Sequence, residues 1–83
     1  MNAKLHIVGT EECDRLIVEP WAEEVRIRSG ASYELVATAE EMPWFEVQPK
    51  GRTLVVYVNG KHATCQVQNN GKAIASYDVP TPT

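Results

Sequence analysis

Apolar and polar residues alternate with a period of two along most of this chain, the pattern of half-buried strands. Lys4–Val8 sets Leu5 and Ile7 on one face and Lys4 and His6 on the other, and Gly9 ends the run. Arg15–Glu19 holds the continuous apolar triplet Leu16-Ile17-Val18. Such a triplet suits a strand covered on both faces or crossing between sheets. Pro20 cannot donate to a ladder and should stop that strand, with a turn at Trp21-Ala22-Glu23. From Glu24 the alternation resumes, with Val25 and Ile27 inward and Glu24, Arg26 and Arg28 outward. Ser29-Gly30-Ala31 hinges this strand to the next. There Tyr33, Leu35, Ala37 and Ala39 share one face, and Glu34, Val36, Thr38 and Glu40 the other.

The second half continues in the same way. Trp44–Gln48 is expected as a short strand with Phe45 and Val47 inward, joined by a turn at Pro49-Lys50-Gly51-Arg52 to Thr53–Val58. Asn59-Gly60 has the composition of a type I′ hairpin turn and leads to a strand over Lys61–Gln68. Asn69-Asn70-Gly71 makes a further turn before Lys72–Tyr77. The prolines at 80 and 82 cannot extend a sheet, so one β domain over residues 1–79 and a flexible tail over 80–83 are expected. Seven to eight short strands and no long helix predict an all-β fold, either a small antiparallel β-sandwich or a jelly-roll-like barrel.

Over Glu24–Val36, the segment V-R-I-R-S-G-A-S-Y-E-L-V resembles the strand, glycine turn and strand of cupin-like jelly rolls. The wider stretch Val18–Glu41, opened by Glu19-Pro20-Trp21, is similar to small uncharacterised bacterial β proteins. The resemblance implies a topology and not an activity. The His-x-His and accompanying Glu that hold the metal in cupins have no counterpart here.

Charge divides the chain. Residues 1–48 carry ten acidic and four basic side chains, whereas residues 49–83 carry one acid, Asp78, and four lysines or arginines. The acidic half argues against nucleic acid as a partner. The bipolar pattern suits a protein partner or a second copy, although solvated strand faces give the same composition. No stretch approaches the roughly 20 apolar residues that span a membrane. MNAKLHIVG lacks the apolar region of a signal peptide. With only Cys13 and Cys65 and no metal-binding spacing, a reduced, cytoplasmic protein is expected.

No catalytic set emerges. Cys13 lies among Glu11, Glu12 and Asp14, whose negative charge disfavours a thiolate. His62 and Cys65, three apart on a strand, point to opposite faces and make no metal pair. The adjacent carboxylates Glu23/Glu24 and Glu40/Glu41 diverge for the same reason, and the glycines are scattered singly. No catalytic residue, metal or cofactor is therefore expected. The aromatics carry more information. Trp21 follows a proline at a turn, and Trp44 and Tyr57 are out of phase with the inward residues beside them. These three are the candidate anchors of a surface that binds another protein or a second copy. An alternative is a small-molecule or carbohydrate-binding module in which His62 and Gln66, on the uncharged face His62-Thr64-Gln66-Gln68, join the same aromatics.

Overall fold

The computed structural model describes residues 1–82 of the 83. Its strands are β1 (Asn2–Val8), β2 (Arg15–Glu19), β3 (Glu23–Arg26), β4 (Ser32–Thr38), β5 (Trp44–Lys50), β6 (Thr53–Asn59), β7 (Thr64–Asn69) and β8 (Lys72–Tyr77). There is no helix among the described residues. The strands form two four-stranded sheets, β1-β4-β7-β8 and β3-β2-β6-β5. The inner faces of both sheets contribute to one apolar cluster. The chain is a small all-β domain of two layers.

The first sheet is antiparallel throughout. The second is mixed, because β2 and β6 run parallel at its centre. Parallel neighbours need a long connection, and here the chain between them visits both sheets. Central strands supply the most deeply buried side chains. Leu16 and Val18 on β2, Leu35 on β4, Val56 on β6 and Val67 on β7 are all 0% exposed. In a domain this small these few residues carry a large share of the stability, since fully burying one Val or Leu is worth about 1.5–3 kcal/mol.

Several local expectations change in the tertiary structure. Asn59-Gly60 does not close a hairpin, because β6 and β7 belong to different sheets. The connection Gly60–Ala63 crosses between the layers, and the following strand starts at Thr64 rather than Lys61. The type I′ signature is realised at Asn70-Gly71, which joins β7 to β8 with φ of 53° and 77°. The Ser29-Gly30 turn likewise carries the chain from one sheet to the other. Pro49 lies within β5, which is an edge strand and so tolerates a residue with no N–H. Val47, expected inward, is 45% exposed at that edge.

Three contacts fasten the connections. Gly9 packs so closely on the hinge after β3 that a Cβ there would lie 2.1 Å from the Arg28 carbonyl oxygen. Its N–H donates to the Ala31 carbonyl, and its carbonyl accepts from Gly30. Arg52, at the tip of the β5–β6 hairpin, donates through Nη2 to the Glu11 carbonyl at 2.7 Å and to Asp14 Oδ2 at 3.0 Å. The third contact is in the segment expected to be a loose tail. Thr81 is 4% exposed, and its hydroxyl donates to the Gly60 carbonyl at 2.6 Å and accepts from the Ala63 N–H at 2.8 Å. Its own N–H donates to the Ala63 carbonyl. Prolines at 80 and 82 prevent a continuous ladder, but a single threonine between them pins the segment to the sheet crossover.

Two variants test these fasteners by urea unfolding. Thr81→Val strands the buried Ala63 N–H and the half-buried Gly60 carbonyl and should cost about 1–3 kcal/mol. Gly9→Ala forces the hinge to move and should cost about 1–3 kcal/mol or more. A change of Glu12, which is exposed, to Ala should stay within about 0.5 kcal/mol. Equal midpoints for all three would show that neither contact holds the fold.

Candidate functional site

With Leu16, Val18, Val56 and Val58 turned into the core, alternation places their neighbours on the outer face of the β3-β2-β6-β5 sheet. Register then aligns them in rows across the strands. Arg26, Arg15, Thr53 and Lys50 form one row, and Glu24, Ile17, Val55 and Gln48 the next. Glu19, Tyr57 and Glu46 form a third, and Asn59 and Trp44 a fourth.

Val55 distinguishes this face. It is 9% exposed, yet it alone among the buried hydrophobic residues described lies outside the core cluster. It is covered by its outer-face neighbours. Together with Ile17, Thr53 and Tyr57 it lines a broad depression of about 560 Å³ whose rim includes Glu19 and Lys50. Tyr57 also borders a second hollow of about 300 Å³, shared with Glu19, Pro20 and Pro82. Trp44 is 56% exposed and Tyr57 37%. They sit diagonally on the adjacent strands β5 and β6, within reach of a common partner.

The charges are sorted by row. Arg26, Arg15 and Lys50 lie on one side of the apolar row, and Glu19 and Glu46 on the other. Arg15 also meets Glu24 at 3.6 Å, an exposed pair of little energetic weight. Glu46 accepts a hydrogen bond from Asn59 at 3.0 Å. One oxygen of Glu19, Oε1, is shielded from solvent without a hydrogen-bond partner.

The five residues singled out from the sequence fall in separate places. Trp44 and Tyr57 share the face just described. Trp21 is engaged within the molecule, stacked on Tyr77 with ring centroids 5.2 Å apart and donating through Nε1 to the Val79 carbonyl at 2.6 Å. His62 lies in the crossover turn with φ 53°, beside a hollow of about 330 Å³ lined by Glu40, Glu41 and Lys61. Gln66 is on the outer face of the opposite sheet, donating to Ser76 and accepting from Gln68. The geometry thus brings two of the five together and spreads the other three. Ile17, Val55, Glu19, Arg15, Glu46 and Lys50 complete the face and went unrecognised in the sequence. Their one signal was the pair of continuous apolar runs Leu16-Ile17-Val18 and Leu54–Val58, which imply cover on both sides of two strands.

Other chemistry is sparse. Both cysteines are free, Cys13 half-buried and Cys65 buried. Among the described residues no three His, Cys, Asp or Glu converge as a metal site. No helix among them is long and apolar enough to cross a membrane. The Arg52 guanidinium, hydrogen-bonded to Asp14, holds that carboxyl below its ordinary range. Burial pushes the Cys65 thiol up to about 11 and the Tyr77 phenol up to about 12. Compared with protein-family models, curated proteins and solved structures, the chain matches none.

Folding therefore favours the protonated Cys65 thiol. Its contribution to stability is whole below pH 9.0 and is lost as pH rises towards about 11. Tyr77 acts in the same sense from 10.0 towards about 12. Urea midpoints should decline across this window, and Cys65→Ala should remove the earlier part of the decline. An unchanged profile in that variant would show that the thiol is not responsible.

Proposed function

We propose that this domain works by binding another polypeptide through the outer face of the β3-β2-β6-β5 sheet and performs no chemistry of its own. The observation that carries this reading is Val55, a buried apolar residue outside the core, flanked by Ile17 and Tyr57, with the exposed Trp44 two rows further along the same face. Apolar floors with aromatic walls and a charged rim are the anatomy of protein interfaces.

The opposite outer face supports the choice by contrast. Several of its polar side chains bond to one another, Gln66 with Ser76, Gln68 with Gln66, and Thr38 with Asn2, and its exposed apolar residues Val8 and Ile74 stand apart on the opposite edge strands β1 and β8. It offers a partner little to gain. The two free thiols fit a reducing compartment such as the cytoplasm.

A photo-crosslinking residue placed at Thr53, in the cells that make the protein, should give discrete protein adducts. The same residue at Gln66 should give none, and Tyr57→Ala should diminish the Thr53 adducts several-fold. Adducts of equal yield from both faces, or none from Thr53, would sink this reading.

A further inference from the structure

The rows of the outer face have a symmetry that a general docking surface does not need. On β2, Arg15 and Glu19 stand two residues to either side of Ile17. On β5, Lys50 and Glu46 stand two residues to either side of Gln48. Ile17, Val55 and Gln48 occupy one row, so the sign of charge inverts across a single line on two different strands. A surface whose charge inverts across a line matches its own copy when that copy is turned about the line.

We propose that this face is self-complementary. It joins two copies of the chain face to face about a two-fold axis running across the strands through Ile17, Val55 and Gln48. The proposal rests on the reading of this face as the binding surface and names its occupant.

The axis decides which residues meet. Ile17 and Val55 lie upon it and pack against Ile17 and Val55 of the second copy, closing the apolar row from water. Rotation carries each cationic row onto an acidic one. Arg15 faces Glu19 of the other copy, and Lys50 faces Glu46, each pair occurring twice. Tyr57 comes over Thr53, a wall of the depression. Trp44, a further two residues out along β5, comes over the Gly51-Arg52 hairpin tip. Glu24 faces its own copy at the margin, each accompanied by its Arg15 at 3.6 Å.

Geometry allows the arrangement, and size makes it a weak one. Face-to-face sheets pack with their strands aligned to within about 30°. Edge-to-edge growth along β5 is hindered by Pro49 within the strand. The four strands offer about 360 Å² in plan per copy, from their 4, 5, 7 and 7 residues. Counted on both copies that is about 720 Å², below the roughly 1,200 Å² of a standard specific interface, so the pair is weak and transient, selected by its charge pattern, and forms only at high concentration.

Sedimentation velocity of the full chain, from micromolar to near-millimolar, tests the proposal. The wild type should pass from monomer to dimer and no further, because a two-fold contact closes. Glu46→Lys places like charges opposite each other twice and should weaken the dimer about tenfold or more. Lys50→Glu should do the same. The double variant E46K/K50E restores the complementarity and should recover wild-type association to within about threefold. Both side chains are exposed on an edge strand, and thermal melts check that each variant folds.

A second measurement uses the axis itself. In a Cys13→Ser background, a bis-maleimide spanning roughly the 10 Å between facing sheets should link Gln48→Cys into a dimer, whereas Gln66→Cys should not be linked. A chain that stays monomeric at every concentration, or a dimer indifferent to the charge variants, overturns the proposal. Failure of the double variant to recover, or equal cross-linking at 48 and 66, does so too. A strict monomer whose Thr53 probe still captures other proteins rejects the self-association alone. A strict monomer with no Thr53 adducts rejects the binding face as well.

Discussion

The parallel ladder between β2 and β6 is the constraint on which the rest of the molecule depends. It sets two continuous apolar runs side by side at the centre of one sheet, Leu16-Ile17-Val18 against Leu54–Val58. Alternation then divides them. Leu16, Val18, Val56 and Val58 turn inward to meet Tyr33, Leu35, Ala37 and Val67 of the other sheet. Ile17 and Val55 turn outward. One pairing therefore builds both the core and the apolar row of the outer face. A slip of one residue between the strands would exchange the two sets and bury Arg15 and Glu19.

Such a small domain has little energy in reserve, and its connections are held by polar contacts as well as packing. Arg52 ties a hairpin tip to the loop before β2. Gly9 receives the hinge that follows β3. Thr81 fixes the chain end to the crossover between β6 and β7, while Trp21 stacks on Tyr77 and holds the Val79 carbonyl. Each of these contacts links segments distant in the sequence, and three of them secure places where the chain passes from one sheet to the other or leaves it. Their expense is small because a buried backbone group that finds a partner loses little on leaving water.

The two outer faces show how one alternating pattern yields surfaces of different character. On the β1-β4-β7-β8 sheet, Gln66, Gln68 and Ser76 on the outer face bond to one another and Thr38 bonds Asn2, beside the charged Lys4 and Glu34. On the β3-β2-β6-β5 sheet they are aliphatic, aromatic and charged, arranged so that like residues share a row. The first satisfies part of its polar surface internally. The second leaves apolar area and charge to be matched by something else.

Much of the fold was legible in the residues themselves. Period-two alternation marked most of the strands and continuous apolar runs marked β2 and β6, and Tyr33, Leu35, Ala37 and Ala39 were recognisable as a buried face because alternation is a local property of the pleat. Trp44 and Tyr57 stood out of phase for the same reason. What the local pattern cannot carry is which strands become neighbours. Asn59-Gly60 and Asn70-Gly71 offer the same turn chemistry, yet only the latter closes a hairpin, because the former must span two layers. Trp21 and Trp44 each follow a proline, yet one stacks on Tyr77 and the other faces solvent. The rows that sort Arg15, Glu19, Glu46 and Lys50 exist only once β2, β6 and β5 lie side by side. Strands, faces and a β class are local properties, readable residue by residue; the parallel pairing, and with it the surface, is not, since strand adjacency is set by long-range burial rather than by any residue's neighbours in the chain.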